Sequence, residues 1–268
     1  PISVAVVQGN LDVGAQWKDE FYGRNLDQYL RLTRGAVRAT GALIVWPESA
    51  LTFFLDDEPS YQNTIGRVLA SVNAELIVGG PRQTSDIPPR FFNSAFLVGS
   101  SGAIRGHYDK QHLLPFAEYF PFRIDLLRRR FGQVREFSVG GPPALLLTRW
   151  GSAGVLICNE AFFPNPAAER VAAGAQVLVN LANDSWLGDR KYSEPAFVMV
   201  TLRAIEQRRW LIRASTAGPS ALIDPLGRVT VRSRWGSADT VTGMVHVRDD
   251  RTIYATIGDT FALVCVGL

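Results

Sequence analysis

The chain reads as an α/β protein, with two mixed β-sheets packed face to face and helices on the outside. Two features of its 268 residues point there. Apolar runs of strand length alternate with helix-spaced stretches early in the chain, and strands dominate late. A hydrophobic content of 47% continues without a linker, repeat or low-complexity tract, which suits one large domain with a substantial core.

The elements follow in order. Ile2 to Gln8 is an apolar, β-branched run and predicts a strand. Residues 20 to 39 carry helical spacing through Phe21, Leu26, Leu30, Ala36 and Val37, and Gly41 stops that helix. Ala42 to Trp46 is a second strand, with Pro47-Glu48-Ser49 at its end. A helix over 58 to 72 leads to a strand at Glu75 to Val78, ended by Gly79-Gly80. Asn93 to Val98 and Ala103 to Tyr108 form a hairpin around Gly-Ser-Ser-Gly. Residues 111 to 143, rich in Phe, Pro and Arg, make an irregular stretch whose length marks it as functional. Strands then fall at 145 to 148, 154 to 157 and 176 to 181, separated by a helix over 166 to 173. A helix over 194 to 209 precedes strands at 211 to 215, 220 to 223, 229 to 231 and 241 to 247.

Composition excludes several function classes. A net charge of +3, from 28 basic and 25 acidic residues, is too mild for a nucleic-acid partner. The one basic concentration, Arg123 to Arg130, reads as a solvated helix face or as a contact for anionic lipid head groups. Cys158 and Cys265 lie far apart, and with three histidines the chain offers no zinc-like spacing and no metal site. The chain opens at Pro1 directly on a strand, without a signal peptide, as expected of a fragment or processed product. Phe261 to Leu268 ends it in an apolar run shorter than the ~20 residues of a membrane span. That run reads either as a last core strand or as the first turns of a membrane helix. Domain boundaries are therefore expected at 1–252 for a catalytic domain and 253–268 for an apolar C-terminal segment.

Three residues with complementary chemistry follow strand-like runs. Glu48 follows Leu43-Ile44-Val45-Trp46-Pro47, Lys110 follows His107-Tyr108-Asp109, and Cys158 follows Val155-Leu156-Ile157. If these strands share one sheet and run the same way, the three side chains gather at one edge, where open α/β sheets place their sites. A lone buried Cys is usually just a small hydrophobe. Beside a carboxylate that takes its proton and an ammonium that stabilises an oxyanion, it becomes a nucleophile. Lys110 is one of three lysines, with Lys18 and Lys191, in a chain where arginine is plentiful. The backbone N–H of Asn159 is a second candidate oxyanion donor.

The phrases Trp46-Pro47-Glu48-Ser49, Tyr108-Asp109-Lys110-Gln111-His112-Leu113 and Cys158-Asn159-Glu160 resemble the Glu-Lys-Cys motifs of the nitrilase (carbon–nitrogen hydrolase) superfamily. Within it the chain is most similar to the catalytic domain of the apolipoprotein N-acyltransferases. The likeness rests on Gln8-Gly9-Asn10 followed by Trp17, on His112 to Pro121, on the 48 positions (158 − 110) from Lys110 to Cys158, and on Asn183-Asp184-Ser185-Trp186-Leu187-Gly188. Arg203-Ala204-Ile205-Glu206 and Ile223 to Arg228 match as well.

The resemblance implies an α-β-β-α sandwich and a two-step acyl transfer without a cofactor. Cys158 takes an acyl chain from a phospholipid donor as a thioester. The α-amine of a diacylglyceryl-cysteine lipoprotein then accepts it. It also implies supporting roles for Glu118, Glu160 and Asn159, and substrate contacts at Trp17, Trp186 and Asn183. The loop 111 to 143 would face the membrane. The location implied is the bacterial inner (cytoplasmic) membrane, with the catalytic domain on its periplasmic, outer side and membrane helices ahead of Pro1. Three places depart from the family pattern: Asn159 stands where Tyr is usual, Tyr192 to Phe197 lacks a Gln-His pair, and Ala217 and Pro219 flank Gly218 in place of Asn and Ile. Two other readings stay open: an amidase that hydrolyses a small amide with the same three residues, and a non-catalytic membrane-associated binding domain.

Overall fold

The structure, a computed structural model, describes residues 1–11, 19–36, 41–121, 136–185 and 190–267. Trp17, Trp186 and the basic run Arg123 to Arg130 lie outside the described residues.

Among the described residues, twelve strands form two six-stranded sheets. The first is built from β1 (Ile2–Gln8), β2 (Leu43–Val45), β3 (Glu75–Gln83), β4 (Phe91–Val98), β5 (Ile104–Asp109) and β12 (Asp239–Val245), in the order β12-β1-β2-β3-β4-β5. The second holds β6 (Leu146–Thr148), β7 (Gly151–Ile157), β8 (Val177–Ala182), β9 (Leu211–Ser215), β10 (Ala221–Ile223) and β11 (Val229–Arg232), in the order β11-β10-β9-β8-β7-β6. Helices α1 (Asp19–Ala36) and α2 (Pro59–Ser71) belong to the first half, and α3 (Pro164–Ala172) and α4 (Arg190–Gln207) to the second.

The alternation along each strand explains the layers. Val4, Val6, Leu43, Val45, Ile77 and Leu97 of the first sheet meet Val155, Ile157, Val177, Val179 and Ile212 of the second in the inner core. The opposite faces, with Ala5, Val7, Ile44, Trp46, Leu76 and Val78, pack with α1 and α2. Leu156, Leu178 and Leu211 pack with α3 and α4. Strands covered on both faces are mostly apolar, which is why β1, β2 and β8 read as near-continuous apolar runs.

Three sequence expectations are corrected. Strand β3 does not end at Gly79-Gly80 but runs on to Gln83, paired with β4 from Leu76↔Val98 to Gln83↔Phe91. The two glycines mark a close approach instead, since a Cβ on Gly79 would sit 2.7 Å from both the Glu48 Cα and the Pro47 carbonyl oxygen. The three motif strands do not share a sheet: β2 and β5 lie in the first and β7 in the second. The C-terminal run is no core strand. It is helical, α5 (Ile253–Ile257) followed by α6 (Thr260–Gly267), and Phe261, Leu263 and Val266 are 74%, 70% and 87% exposed. Among the described residues, no helix is long and apolar enough to cross a membrane.

Direction within the first sheet decides where the site falls. β2 runs parallel to β3, β3 antiparallel to β4, and β4 antiparallel to β5, so the ends of β2 and β5 that carry Glu48 and Lys110 point the same way. Gly79→Ala tests the close approach that makes this possible. The added methyl meets backbone, and unfolding by heat or denaturant should show a loss of about 1–3 kcal/mol.

Candidate active site

Each of the three motif residues is delivered by a differently constrained turn. Trp46 is fully buried, stacks on Tyr29 at 5.0 Å, and donates its indole N–H to Thr33 Oγ1 at 3.0 Å. The turn after it is clamped to β3 by the bonds Gly79 N→Pro47 O (3.2 Å) and Leu51 N→Gly79 O (3.0 Å), which leaves Glu48 buried at the end of β2. Lys110 continues the β5 ladder through its N–H to Asn93 O at 2.9 Å. Its own carbonyl accepts from Gly140 N at 2.9 Å, so the returning segment closes over it. Cys158 directly follows β7 and begins the 3-10 turn Cys158–Phe162 with φ of 53°. A left-handed conformation is unfavourable for a residue with a Cβ, and it persists only where the surroundings impose it.

The three meet across the sandwich. The Cys158 thiol lies within electrostatic reach of both the Glu48 carboxylate and the Lys110 ammonium. Lys110 Nζ lies 3.7 Å from Glu48 Oε1 and 2.8 Å from Glu118 Oε2. Asn93 joins the two carboxylates, its Nδ2 donating to Glu48 Oε1 at 2.8 Å and to Glu118 Oε1 at 2.7 Å. Glu118 Oε2 also accepts from Leu114 N at 2.7 Å. Burial opposes charge on Lys110, but the carboxylates of Glu48 and Glu118 outweigh it, and the ammonium is held above its ordinary pKa. Burial, with Glu118 adding to it, pushes the Glu48 carboxyl up against the pull of Lys110. Burial and the nearby Glu48 carboxylate push the Cys158 thiol up as well, so the resting sulfur carries its proton.

Glu160 sits behind these groups. It is fully buried, and its Oε1 accepts from Tyr108 Oη (2.7 Å), Gln111 N (2.8 Å) and His112 N (3.1 Å), while Oε2 accepts from Ile157 N at 2.7 Å. Arg170 lies 3.8 Å from it and also bonds Tyr108 Oη. One carboxylate therefore ties the turn after β7 to the loop after Lys110. Asn159 adds a second tie, Nδ2→His112 O at 3.1 Å. Asn183 is placed differently: its Oδ1 accepts from Thr216 Oγ1 and Ser185 Oγ, both at 2.7 Å, within the loop after β8.

Cys158 opens on a cavity of about 530 Å³ walled mainly by apolar side chains, among them Leu113, Leu114, Tyr119 and Phe162, with Gln111, His112 and Asn159 as its polar members. Phe116, Val139 and Phe163 are more than half exposed in the same loops. Among the described residues, no group of three or more His, Cys, Asp or Glu is placed to hold a metal ion. Asn93, Asn180 and Arg213 were not singled out in the sequence. The available signal was a polar residue inside an apolar strand, as in Phe92-Asn93-Ser94 and Val179-Asn180-Leu181. Glu160→Ala removes the acceptor of four bonds and leaves Arg170 without that carboxylate. Denaturant unfolding should report a loss of about 3–5 kcal/mol.

The carbon-nitrogen hydrolase family model matches residues 3–253. The chain is 34% identical over 270 residues to an apolipoprotein N-acyltransferase of Geobacter metallireducens, covering 99% of this chain and 52% of that protein. It is 35% identical over 236 residues to one of Pseudomonas paraeruginosa, covering 85% and 45%. It thus spans about half the length of the curated relatives it matches. Among solved structures, an amidase from Nesterenkonia sp. superposes with a TM-score of 0.67 at 17% identity, covering 100% of this chain and 96% of that one. A mutant structure described as an amidase from the nitrilase superfamily gives 0.69 at 16% identity, covering 100% and 97%. At that identity the likeness speaks for the fold, the sandwich of two mixed sheets with outer helices. Matched along nearly all its length, this chain belongs to the carbon–nitrogen hydrolase family.

Proposed function

We propose that this chain is the catalytic domain of an apolipoprotein N-acyltransferase-type enzyme, with Cys158 as the acyl-carrying nucleophile, Glu48 as the base and Lys110 as the oxyanion partner. The observation that carries the reading is that Cys158, on which the Glu48 carboxylate and the Lys110 ammonium act, lines a largely apolar cavity. The relatives named as apolipoprotein N-acyltransferases support the substrate class.

In the first step the Cys158 sulfur attacks the ester carbonyl of a phospholipid while Glu48 takes the thiol proton. A C–S bond forms, and the oxyanion is stabilised by Lys110 Nζ and the N–H of Asn159, which lies in the first turn of a 3-10 helix where N–H groups lack intrahelical partners. Collapse breaks the C–O bond, and the proton on Glu48 leaves with the lysophospholipid oxygen. In the second step the α-amine of a diacylglyceryl-cysteine lipoprotein attacks the thioester and gives a proton to Glu48. The C–S bond breaks, and that proton restores the thiol. Glu118 and Asn93 keep Lys110 charged and Glu48 oriented. The cavity, with Phe116, Val139 and Phe163 at exposed positions in its loops, offers an acyl chain more than it offers a small polar amide. The exposed apolar α6 suits contact with a bilayer, and we place the domain at the outer face of the bacterial inner membrane. On this reading 1–252 is the catalytic domain and 253–268 the segment leading to the membrane.

Intact-mass measurement after incubation with phospholipid should show one acyl adduct, absent in Cys158→Ala. An unmodified protein that releases ammonia from small amides would establish the amidase reading instead. Glu48→Gln should slow adduct formation by about 10²–10⁴-fold. The base must be ionised to act, and its pKa is raised, so kcat/KM should fall on the acid side at a pH above the ordinary 4.5 of a Glu carboxyl. Lys110, raised from 10.5, should contribute no alkaline limb below that value.

A further inference from the structure

The acyl-transfer chemistry makes no use of the buried cation of Arg213. Arg213, on β9, is fully buried and forks into three acceptors. Its Nη2 bonds Asp184 Oδ2 at 2.6 Å, its Nη1 bonds Asn180 Oδ1, and its Nε bonds Pro219 O at 3.2 Å. Asp184 Oδ2 also accepts from Ser215 Oγ at 2.9 Å. Asn180 stands directly opposite Arg213 in the β8–β9 ladder and opposite Leu156 in the β7–β8 ladder. Its Nδ2 donates to Leu156 O at 2.9 Å and reaches Cys158 O at 3.5 Å.

Stability alone gives little reason for such a pair, because well-packed apolar residues replace buried ion pairs with little or no loss. Its position relative to Cys158 does. The carboxylates acting on the thiol are Glu48, Asp184 and Glu118, against the single ammonium of Lys110. Arg213 pairs with Asp184 at 2.6 Å and opposes its field. The left-handed turn at Cys158 also needs its carbonyl held, and Asn180, itself oriented by Arg213, lies under that carbonyl.

We propose that Arg213 is a positioning residue for the nucleophile: it neutralises Asp184 and, through Asn180, holds the Cys158 carbonyl so that the turn keeps its sulfur facing Glu48 and Lys110. The inference rests on Cys158 as the nucleophile but not on any acyl donor.

Iodoacetamide alkylation of the intact protein tests it, followed by mass spectrometry of the Cys158 peptide so that the exposed Cys265 does not interfere. Near neutral pH, Arg213→Met should react about tenfold more slowly, the factor for a one-unit rise of the thiol pKa. Arg213→Met with Asp184→Asn should recover part of the lost rate, because the uncompensated carboxylate is gone while the Asn180 tie is still missing; a merely loosened site would recover none. A folded Arg213→Met alkylated at the wild-type rate, or a double variant as slow as the single one, overturns the proposal. If Arg213→Met does not fold, Asp184→Asn alone decides. It leaves Arg213 uncompensated and should speed alkylation, and an unchanged or slower rate overturns the proposal. Because the reagent reads the thiol directly, failure here is separable from failure of phospholipid to load the sulfur.

Discussion

The buried ammonium of Lys110 is the constraint around which this molecule is arranged. A lone ammonium taken out of water would lose its proton. Here it keeps it because Glu118 lies at 2.8 Å and Glu48 at 3.7 Å, and Asn93 fixes both carboxylates relative to each other. Each partner arrives on a separate segment: Glu48 after β2, Asn93 within β4, Lys110 after β5 and Glu118 in the loop beyond. Satisfying one charge therefore sets β2, β4 and β5 of the first sheet and the first part of the long loop at once.

The second sheet is attached to this cluster by Glu160 rather than by the sulfur. Its carboxylate accepts from Tyr108, Gln111 and His112 on one side and from Ile157 on the other, so the backbone ahead of Cys158 is registered against the backbone around Lys110. That leaves the thiol free to face the cavity. A protonated thiol near a carboxylate of raised pKa is inert at rest, and on the proposed reading a proton shift to Glu48 activates it. A permanently ionised sulfur in this place would have to be charged beside two carboxylates, which the same field disfavours.

Much of the layout was legible residue by residue. Strands buried on both faces leave apolar runs such as Val177–Ala182, and the Glu48, Lys110 and Cys158 motifs stand at the ends of such runs. Gly79-Gly80 was misread because glycine serves two ends: it stops a strand in a turn, and it lets another backbone approach within a strand. Local sequence cannot tell these apart, since the approaching atoms belong to Pro47 and Glu48, some thirty residues earlier. The apolar C-terminus was ambiguous for a similar reason, because a strand and a helix of eight apolar residues have no distinguishing period.

The sequence by itself determined which chemical groups the chain possesses and that each follows a rigid strand. Those properties depend on neighbours along the chain, through propensity, periodicity and turn residues. Only the tertiary structure decided that Cys158 reaches Glu48 from the opposite sheet, that Asn93 bridges two carboxylates, and that Arg213 and Asn180 lie beneath the nucleophile turn. Electrostatic and hydrogen-bond energies fall off over a few ångströms of space. The separations that matter here, 45 positions from Glu48 to Asn93 and 33 from Asn180 to Arg213, are closed only when the strands pair and the sheets pack.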